Sequence, residues 1–307
     1  MSDTPDSFTP PRTDHAPASG SADATLTPIT DASRTELTAA VKQLETPSFA
    51  GKLTDMLGQP IEMLLDKLPE SLQGKIDGVT EQALQKALEV ALKTLDDEQA
   101  DGKSSPWNLT HKLSTAVTGA AGGFFGLPAL AVELPVTTVV MMRSIADIAR
   151  SKGEDLSSPE ARLACLEVFA LGSGGAEADG KAIEYAGELS SENEEFVQAS
   201  YYIARAALAQ SVKNVVEQFA KGGAKMTAQP MLALVSRVAS RFGVAVSEKA
   251  AAQAVPVLGA VGGGMINVMF TDHFQDTAEA HFTIRALERQ HGEREIEQAY
   301  HAIAATL

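Results

Sequence analysis

The sequence predicts an all-α protein, and three observations support this fold class. Apolar residues recur at spacings of three and four through most of the chain after Arg34. No segment has the alternation of apolar and polar residues that is typical of a half-buried strand. Alanine and glycine are abundant while aromatic residues make up only 5%, which favours helices packed closely through small side chains. We therefore expect a helical bundle with a central, apolar, glycine-rich helical hairpin.

Composition excludes several functional classes. The 307 residues carry 40 acidic and 25 basic side chains, which gives a formal net charge of −15. A nucleic-acid-binding protein needs a basic face to replace phosphate counterions, so this charge argues against one. It also disfavours broad electrostatic docking on anionic lipid, so any membrane contact should be hydrophobic. A single cysteine excludes a disulfide framework and a cysteine-rich zinc module.

The chain divides into a tail and one domain. Residues 1–32 combine five prolines with Ser, Thr, Ala and Asp, and they offer few apolar groups to offset the entropy of ordering. We predict a disordered tail over 1–32 and a single helical domain over 33–307. No basic region leads into an apolar segment after Met1, so we expect a cytoplasmic protein rather than a secreted one.

Helix boundaries follow from periodicity and from breaking residues. The apolar spacing from Val79 to Leu95 predicts one helix, followed by a polar loop over Asp96–Pro106. Ser157, Pro159 and Glu160 predict a helix start with a capping box. That helix should end at the glycines of 172–175. Further helices are predicted at about 193–219, 229–251 and 265–290, with breaks at Gly222-Gly223 and at Gly292.

Two long segments lack charged side chains. Leu113–Val132 and Ala250–Thr271 contain no Asp, Glu, Lys or Arg, and twenty helical residues span roughly 30 Å, about the hydrocarbon thickness of a bilayer. Both segments contain a similar string, GAAGG at 119–123 and GAVGG at 259–263. Glycines four residues apart lie on one helix face and let a second backbone approach closely.

The prolines in the first segment favour a kinked hairpin. Pro128 and Pro135 bracket Ala129–Leu134, and each is expected to break or start a helix. Three interpretations of the uncharged segments remain open. They form an apolar hairpin buried in a soluble bundle, a partial or reversible insertion into a membrane, or true spanning helices.

The predicted membrane or lipid contact consists of residues in and beside these two segments. Glu133 and Arg143 should form its polar edge, where Arg143 either binds a lipid phosphate or pairs with Asp147 and Glu133. The complete set is Gly119, Gly122, Gly123, Phe124, Phe125, Gly126, Leu127, Glu133, Arg143, Gly259, Gly262 and Gly263.

One group of side chains could bind a metal ion. The sequence DHFQDTAEAH at 272–281 places Asp272, Asp276 and Glu279 on one helix face, with His273 and His281 nearby. Carboxylate and imidazole ligands together suit Mn, Fe or Zn, so Asp272, His273 and His281 are candidate ligands. The alternative is a polar helix whose two histidines are packed in the core. No HExxH motif is present, and Cys165 has the apolar neighbours of a core residue rather than a nucleophile.

Several blocks resemble the bacterial EcsC protein family. These are GGFFGLP at 122–128, ELPVTT at 133–138, MRSIA at 142–146, CLEVFAL at 165–171, DHF at 272–274 and HF at 281–282. The similarity covers roughly residues 80–300. The resemblance implies a modest amount about function, because the founding member is encoded beside the parts of an ABC transporter and the family's activity is unknown. No catalytic residue is carried over.

These observations favour a non-enzymatic helical protein that associates with membrane lipid or a membrane protein complex, with a link to a transporter. We expect it to be cytoplasmic and peripheral on the inner face of the cell membrane, to need no cofactor and to bind no nucleic acid. Two alternatives remain: a metal-dependent enzyme using Asp272, His273 and His281, and a soluble protein that binds a hydrophobic ligand. The oligomeric state is not determined by the sequence.

Overall fold

The computed structural model describes residues 26–45, 48–68, 70–101, 126–174, 200–222, 228–255 and 259–307. Within these ranges the chain forms ten α-helices and no strand, which confirms the all-α bundle. The helices are α1 (Asp31–Glu45), α2 (Phe49–Leu57), α3 (Glu62–Leu65), α4 (Glu70–Asp101), α5 (Gly126–Ser151), α6 (Pro159–Leu171), α7 (Ser200–Ala220), α8 (Gln229–Gln253), α9 (Gly259–His291) and α10 (Glu293–Ala304).

Parts of the predicted organisation lie outside the described residues. These parts are residues 1–25 of the predicted tail and residues 113–125 and 256–258 of the predicted hairpin. Helix α1 begins at Asp31, so residues 31 and 32, which we assigned to the tail, belong to the first helix.

Helices α8 and α9 form the centre of the bundle. Helix α9 packs against α1, α2, α5, α6, α8 and α10, and α8 packs against α2, α3, α4, α6 and α7. Aromatic rings join these helices, since Phe242 of α8 lies with its ring centroid 5.8 Å from Phe270 and 5.3 Å from Phe274 of α9. A second core, where α1, α7, α9 and α10 meet, contains Leu37, Val41, Tyr201, Ile284, Ile296 and Tyr300.

Helix α4 is longer than predicted. It continues to Asp101, so the prediction of a loop is wrong for residues 96–101, while residues 102–106 lie outside the described part. Acidic residues, glutamine and alanine are all compatible with a helix, and the first strong helix breaker in this stretch is Gly102.

Helix α5 also contradicts a prediction, because Pro135 lies inside it. Proline removes the bond from its own nitrogen to the carbonyl of Ala131, and its ring crowds that carbonyl. The helix is held by packing on both sides of the proline, through Leu130, Leu134 and Met141, which are at most 5% exposed. Pro128 is in the first turn, where proline is tolerated.

The start of α6 is shifted by one residue. Ser158, not Ser157, is the N-cap, and its hydroxyl accepts a bond of 3.1 Å from the Ala161 amide. Glu160 is then the second helical residue, so the predicted capping box is absent. The predicted ends at Gly172 and Gly292 are confirmed. Cys165 is buried as expected, and burial raises the pKa of its thiol to about 12.

Candidate functional site

The predicted contact residues fall into described and undescribed groups. Gly119, Gly122, Gly123, Phe124 and Phe125 lie outside the described residues. Gly126 and Leu127 are the first two residues of α5, and Gly259, Gly262 and Gly263 are in the first turns of α9. These five described residues therefore lie at the N-terminal ends of two helices that pack on each other, whereas the other two described members, Glu133 and Arg143, lie further along α5.

A buried ion pair connects these two ends with α8. The Nζ atom of Lys249 lies 2.7 Å from Oε1 of Glu133. The side chain of Lys249 is 0% exposed and that of Glu133 is 14% exposed. The ammonium also lies 4.8 Å from the ring centroid of Phe270, in cation–π geometry. Burial lowers the pKa of Lys249, and the charge and hydrogen bond of Glu133 oppose this effect.

The end of α8 is tied to α9 by one more polar contact. Nε2 of Gln253 donates to Oδ1 of Asn267 at 3.4 Å. The described end of the bundle thus consists of the start of α5, the last turns of α8 and the first turns of α9. We call it the apolar end.

Large apolar side chains are exposed at the apolar end. Val132 of α5 is 66% exposed, and Met265 and Val268 of α9 are 53% and 59% exposed. Met265 and Val268 are three residues apart, so they lie on the same face of α9. Scattered apolar side chains on a surface are ordinary, whereas a group at one end points to a contact surface.

Arg143 lies ten residues beyond Glu133, about 15 Å further along the axis of α5. Glu133 pairs with Lys249, and Asp147 pairs with Arg150, whose Nη1 lies 2.9 Å from its Oδ1. Sequence spacing identified the helix face of these residues but not their partners on other elements.

The metal-ligand candidates are not brought together. Nε2 of His273 lies 2.5 Å from the Gly172 carbonyl, and Nδ1 of His281 lies 2.9 Å from the Tyr201 hydroxyl. The two histidines are eight residues apart, about 12 Å along α9, and Asp272 is exposed. Among the described residues, no group of three His, Cys, Asp or Glu side chains could hold a metal ion.

The carboxylates of the same helix face pair with lysines. Asp276 lies 3.5 Å from Nζ of Lys52, and Glu279 lies 2.8 Å from Nζ of Lys152. Both carboxylates line a groove of about 460 Å³ between α1 and α9. The face predicted from their spacing is therefore present, with ammonium groups as partners.

A buried cluster of charged residues was not predicted. Arg205 of α7 makes two bonds to Glu288 of α9, at 2.6 and 3.3 Å, and Arg285 makes two bonds to Glu154, at 2.8 and 3.1 Å. Glu167 of α6 is buried among them. One signal was available in the sequence: His281, Arg285 and Glu288 have the spacing of a single helix face, which also carries the apolar residues Ile284 and Leu287 beside them.

None of the helices in the described part of the chain combines the length and the apolar character that are needed to span a bilayer.

Comparison with known proteins supports the resemblance seen in the sequence. The model of the EcsC protein family matches residues 31–287. The chain belongs to the EcsC protein family. The match begins with α1, well before the residue near 80 at which we placed the start of the resemblance, so the EcsC region includes the first helices as well as the two uncharged segments. Searches of curated proteins and of solved structures found no match for this EcsC chain.

Proposed function

We propose that this EcsC-family chain is a non-enzymatic protein that attaches to the surface of a lipid bilayer through its apolar end. The observation that carries the proposal is the combination, at one end of an acidic protein, of exposed Val132, Met265 and Val268 with the charge pair of buried Lys249 and largely buried Glu133. The attachment is interfacial, with the side chains of Val132, Met265 and Val268 in the boundary between headgroups and acyl chains.

The arrangement of charge favours contact with lipid. Residues 126–132 and 250–271 carry no charged side chain, and the nearest charges on α5 and α8 are Glu133 and Lys249. An unpaired charge inside the bilayer raises the free energy of the inserted state by several kcal/mol. Because Glu133 and Lys249 bind each other, the apolar end can enter the interface without carrying an unpaired charge with it.

The overall charge favours hydrophobic rather than electrostatic attachment. A net charge of −15 repels a surface of anionic lipid. Met265 and Val268 are 53% and 59% exposed, so their transfer out of water supplies roughly 1 kcal/mol for each side chain, about half the value for full burial. A membrane protein complex, such as a transporter, is the competing partner, and the experiment below separates it from lipid.

The test is flotation of the full chain with vesicles of neutral phosphatidylcholine. We expect the wild-type chain to float with the vesicles. The double variant Met265→Glu/Val268→Glu should bind at least tenfold less, because it replaces two exposed apolar side chains with charges and disturbs no buried residue. Leu307→Glu is the matched control, since Leu307 is also 53% exposed and lies beyond α10, away from the apolar end.

Two results would contradict the proposal. Equal flotation of the double variant and the wild type would exclude the apolar end as the contact. The second result has two parts: the wild type does not bind vesicles, but it binds native membranes until their proteins are removed by protease. This result would identify a protein partner instead of lipid.

A further inference from the structure

The charged residues between α6, α7 and α9 form one compact group. We call it the arginine cluster, and it contains Glu154, Glu167, Tyr201, Arg205, His281, Arg285 and Glu288. Its parts are linked by short contacts, because the Tyr201 hydroxyl lies 3.3 Å from Nη1 of Arg205 and 2.9 Å from Nδ1 of His281. His281 and Arg285 are four residues apart on the same face of α9, where Cβ atoms are about 5–6 Å apart.

Arg205 has more donors than its partners use. Its Nη1 donates to Glu288 Oε1 and to the Tyr201 hydroxyl, and its Nη2 donates to Glu288 Oε2. A guanidinium has five N–H groups. The Nε hydrogen and the second Nη2 hydrogen therefore have no acceptor among the described residues.

The guanidinium of Arg285 also has N–H donors that its partners do not use. Its Nε and Nη2 donate to the two oxygens of Glu154, which Arg289 also contacts. Both hydrogens of Nη1 and the second hydrogen of Nη2 are left without an acceptor in the described part of the chain. Arg205 and Arg285 are 22% and 23% exposed, so both side chains can be reached from solvent.

His281 supplies a buried donor with no partner. Arg205 donates to the Tyr201 oxygen, so the hydroxyl proton of Tyr201 is available to Nδ1 of His281. This bonding assigns the remaining imidazole proton to Nε2. His281 is 0% exposed, and its Nε2 has no hydrogen-bond partner among the described residues. A buried donor without an acceptor is destabilising and uncommon.

Two of the three carboxylates in the arginine cluster are paired with arginine, Glu288 with Arg205 and Glu154 with Arg285. Burial raises the pKa of the third carboxyl, that of Glu167, above its ordinary value, although the charges of Arg205 and Arg285 oppose this effect. Burial and the two arginines lower the pKa of His281, so its imidazole is neutral and acts as a donor.

We propose that the arginine cluster binds one phosphate group, through Arg205, Arg285 and His281. Six N–H groups on three side chains exceed what the two oxygens of a carboxylate accept, while the oxygens of a phosphate can accept them all. A free phosphate and the phosphate of a lipid headgroup share this chemistry. The site does not depend on the proposed attachment to membranes, because His281 lies thirteen residues from Val268, about 20 Å along α9.

The test is a titration of the full chain with inorganic phosphate, at an ionic strength held constant with chloride, followed by calorimetry and by Tm. Arg285→Lys keeps a charge beside Glu154 but removes the two free Nη1 donors, and it should weaken phosphate binding at least tenfold. His281→Phe should weaken binding by removing the Nε2 donor. Arg150→Lys is the control, an equivalent change at the surface pair with Asp147, and it should bind as the wild type does.

The outcome that overturns the proposal is a wild-type chain whose Tm and calorimetric heat do not change with phosphate relative to chloride. Equal weakening by Arg285→Lys and Arg150→Lys would overturn it too. If His281→Phe fails to fold, the imidazole nitrogen shifts of the wild-type chain provide the same test, because phosphate must move the His281 Nε2 resonance.

A further comparison separates the two sources of phosphate. Vesicles containing phosphatidate are offered to the Met265→Glu/Val268→Glu variant, which lacks the proposed apolar contact. Binding that is lost on adding Arg285→Lys identifies a lipid headgroup as the ligand. Binding of inorganic phosphate without binding of these vesicles identifies a soluble phosphate compound.

Discussion

Glu154 attaches the turn between α5 and α6 to the C-terminal half of α9. Its side chain is 5% exposed, and it accepts two hydrogen bonds from Arg285 and one from Arg289. Burial alone would raise the pKa of this carboxyl, but the bonds and charges of Arg285 and Arg289 outweigh burial and hold the pKa below 4.5. The residue contributes to stability only while it is ionised.

Glu154→Gln should therefore lower the free energy of unfolding by about 2 kcal/mol at pH 7, because it leaves two arginines with a neutral acceptor. The pKa is lower in the folded state, so this contribution is present above the ordinary value of 4.5 and is lost as the pH falls through the folded-state value. Urea unfolding at pH 7 and at successively lower pH measures both effects.

The control for this prediction is Asp147→Asn. Asp147 is 60% exposed and pairs with Arg150 on the same helix, so its loss should change stability by less than about 1 kcal/mol. Equal effects of the two variants, or a difference between the wild type and Glu154→Gln that is unchanged at low pH, would show that the Glu154 pair is not a stabilising contact.

At the scale of elements, the contact of α6 with α9 depends on a glycine. A Cβ atom built on Gly172 would lie 2.6 Å from Cε1 of Phe274. The backbone of Gly172 has a φ of −74°, which any residue can adopt, so only packing demands glycine here. The close approach also brings the Gly172 carbonyl to His273.

Gly172→Ala should lower the free energy of unfolding by about 1–3 kcal/mol, because Phe274 is fully buried and has no room to move away. Gly174→Ala is the matched control, since a Cβ at Gly174 meets nothing within 4 Å. Thermal unfolding of both variants measures the difference. A Gly172→Ala chain as stable as Gly174→Ala would mean that the two helices are not packed this closely.

Local sequence patterns predicted some helix boundaries correctly and others wrongly. Periodicity located α8 and α9, and the break at Gly292 was placed correctly, because Gly292 has a φ of 103°, a conformation that glycine adopts at no steric cost. Pro135 was misassigned, because the packing of Leu130, Leu134 and Met141 outweighs one missing hydrogen bond. The sequence pattern of α5 does not show how closely these side chains pack against other helices.

For the whole molecule, charge and apolar exposure make opposing predictions about lipid. The net charge of −15 should repel an anionic bilayer, while Val132, Met265 and Val268 attract any bilayer. Replacing part of the neutral lipid by an anionic lipid should weaken vesicle binding severalfold, and salt near 1 M, where the Debye length is about 3 Å, should restore it. Vesicle flotation across lipid composition and salt measures this. Binding that rises with anionic lipid and falls with salt would contradict hydrophobic attachment.

The amino-acid sequence alone was enough to predict the all-α class and the membership of the EcsC protein family. Helical periodicity and the absence of charge over Leu113–Val132 and Ala250–Thr271 are properties of local sequence. So is the presence of three carboxylates on one face of α9. Each depends on residues within a few turns of each other, and spacing along one helix is enough to predict it.

The partners of the charged residues were decided by tertiary structure alone. Glu133 binds Lys249, 116 residues away, Arg205 binds Glu288, 83 residues away, and His273 contacts Gly172, 101 residues away. The spacing of Asp272, His273 and His281 allowed a metal site, yet packing turned each histidine towards a different helix. Periodicity defines which face of a helix is buried, but only the packing of helices from distant parts of the chain determines what that face meets.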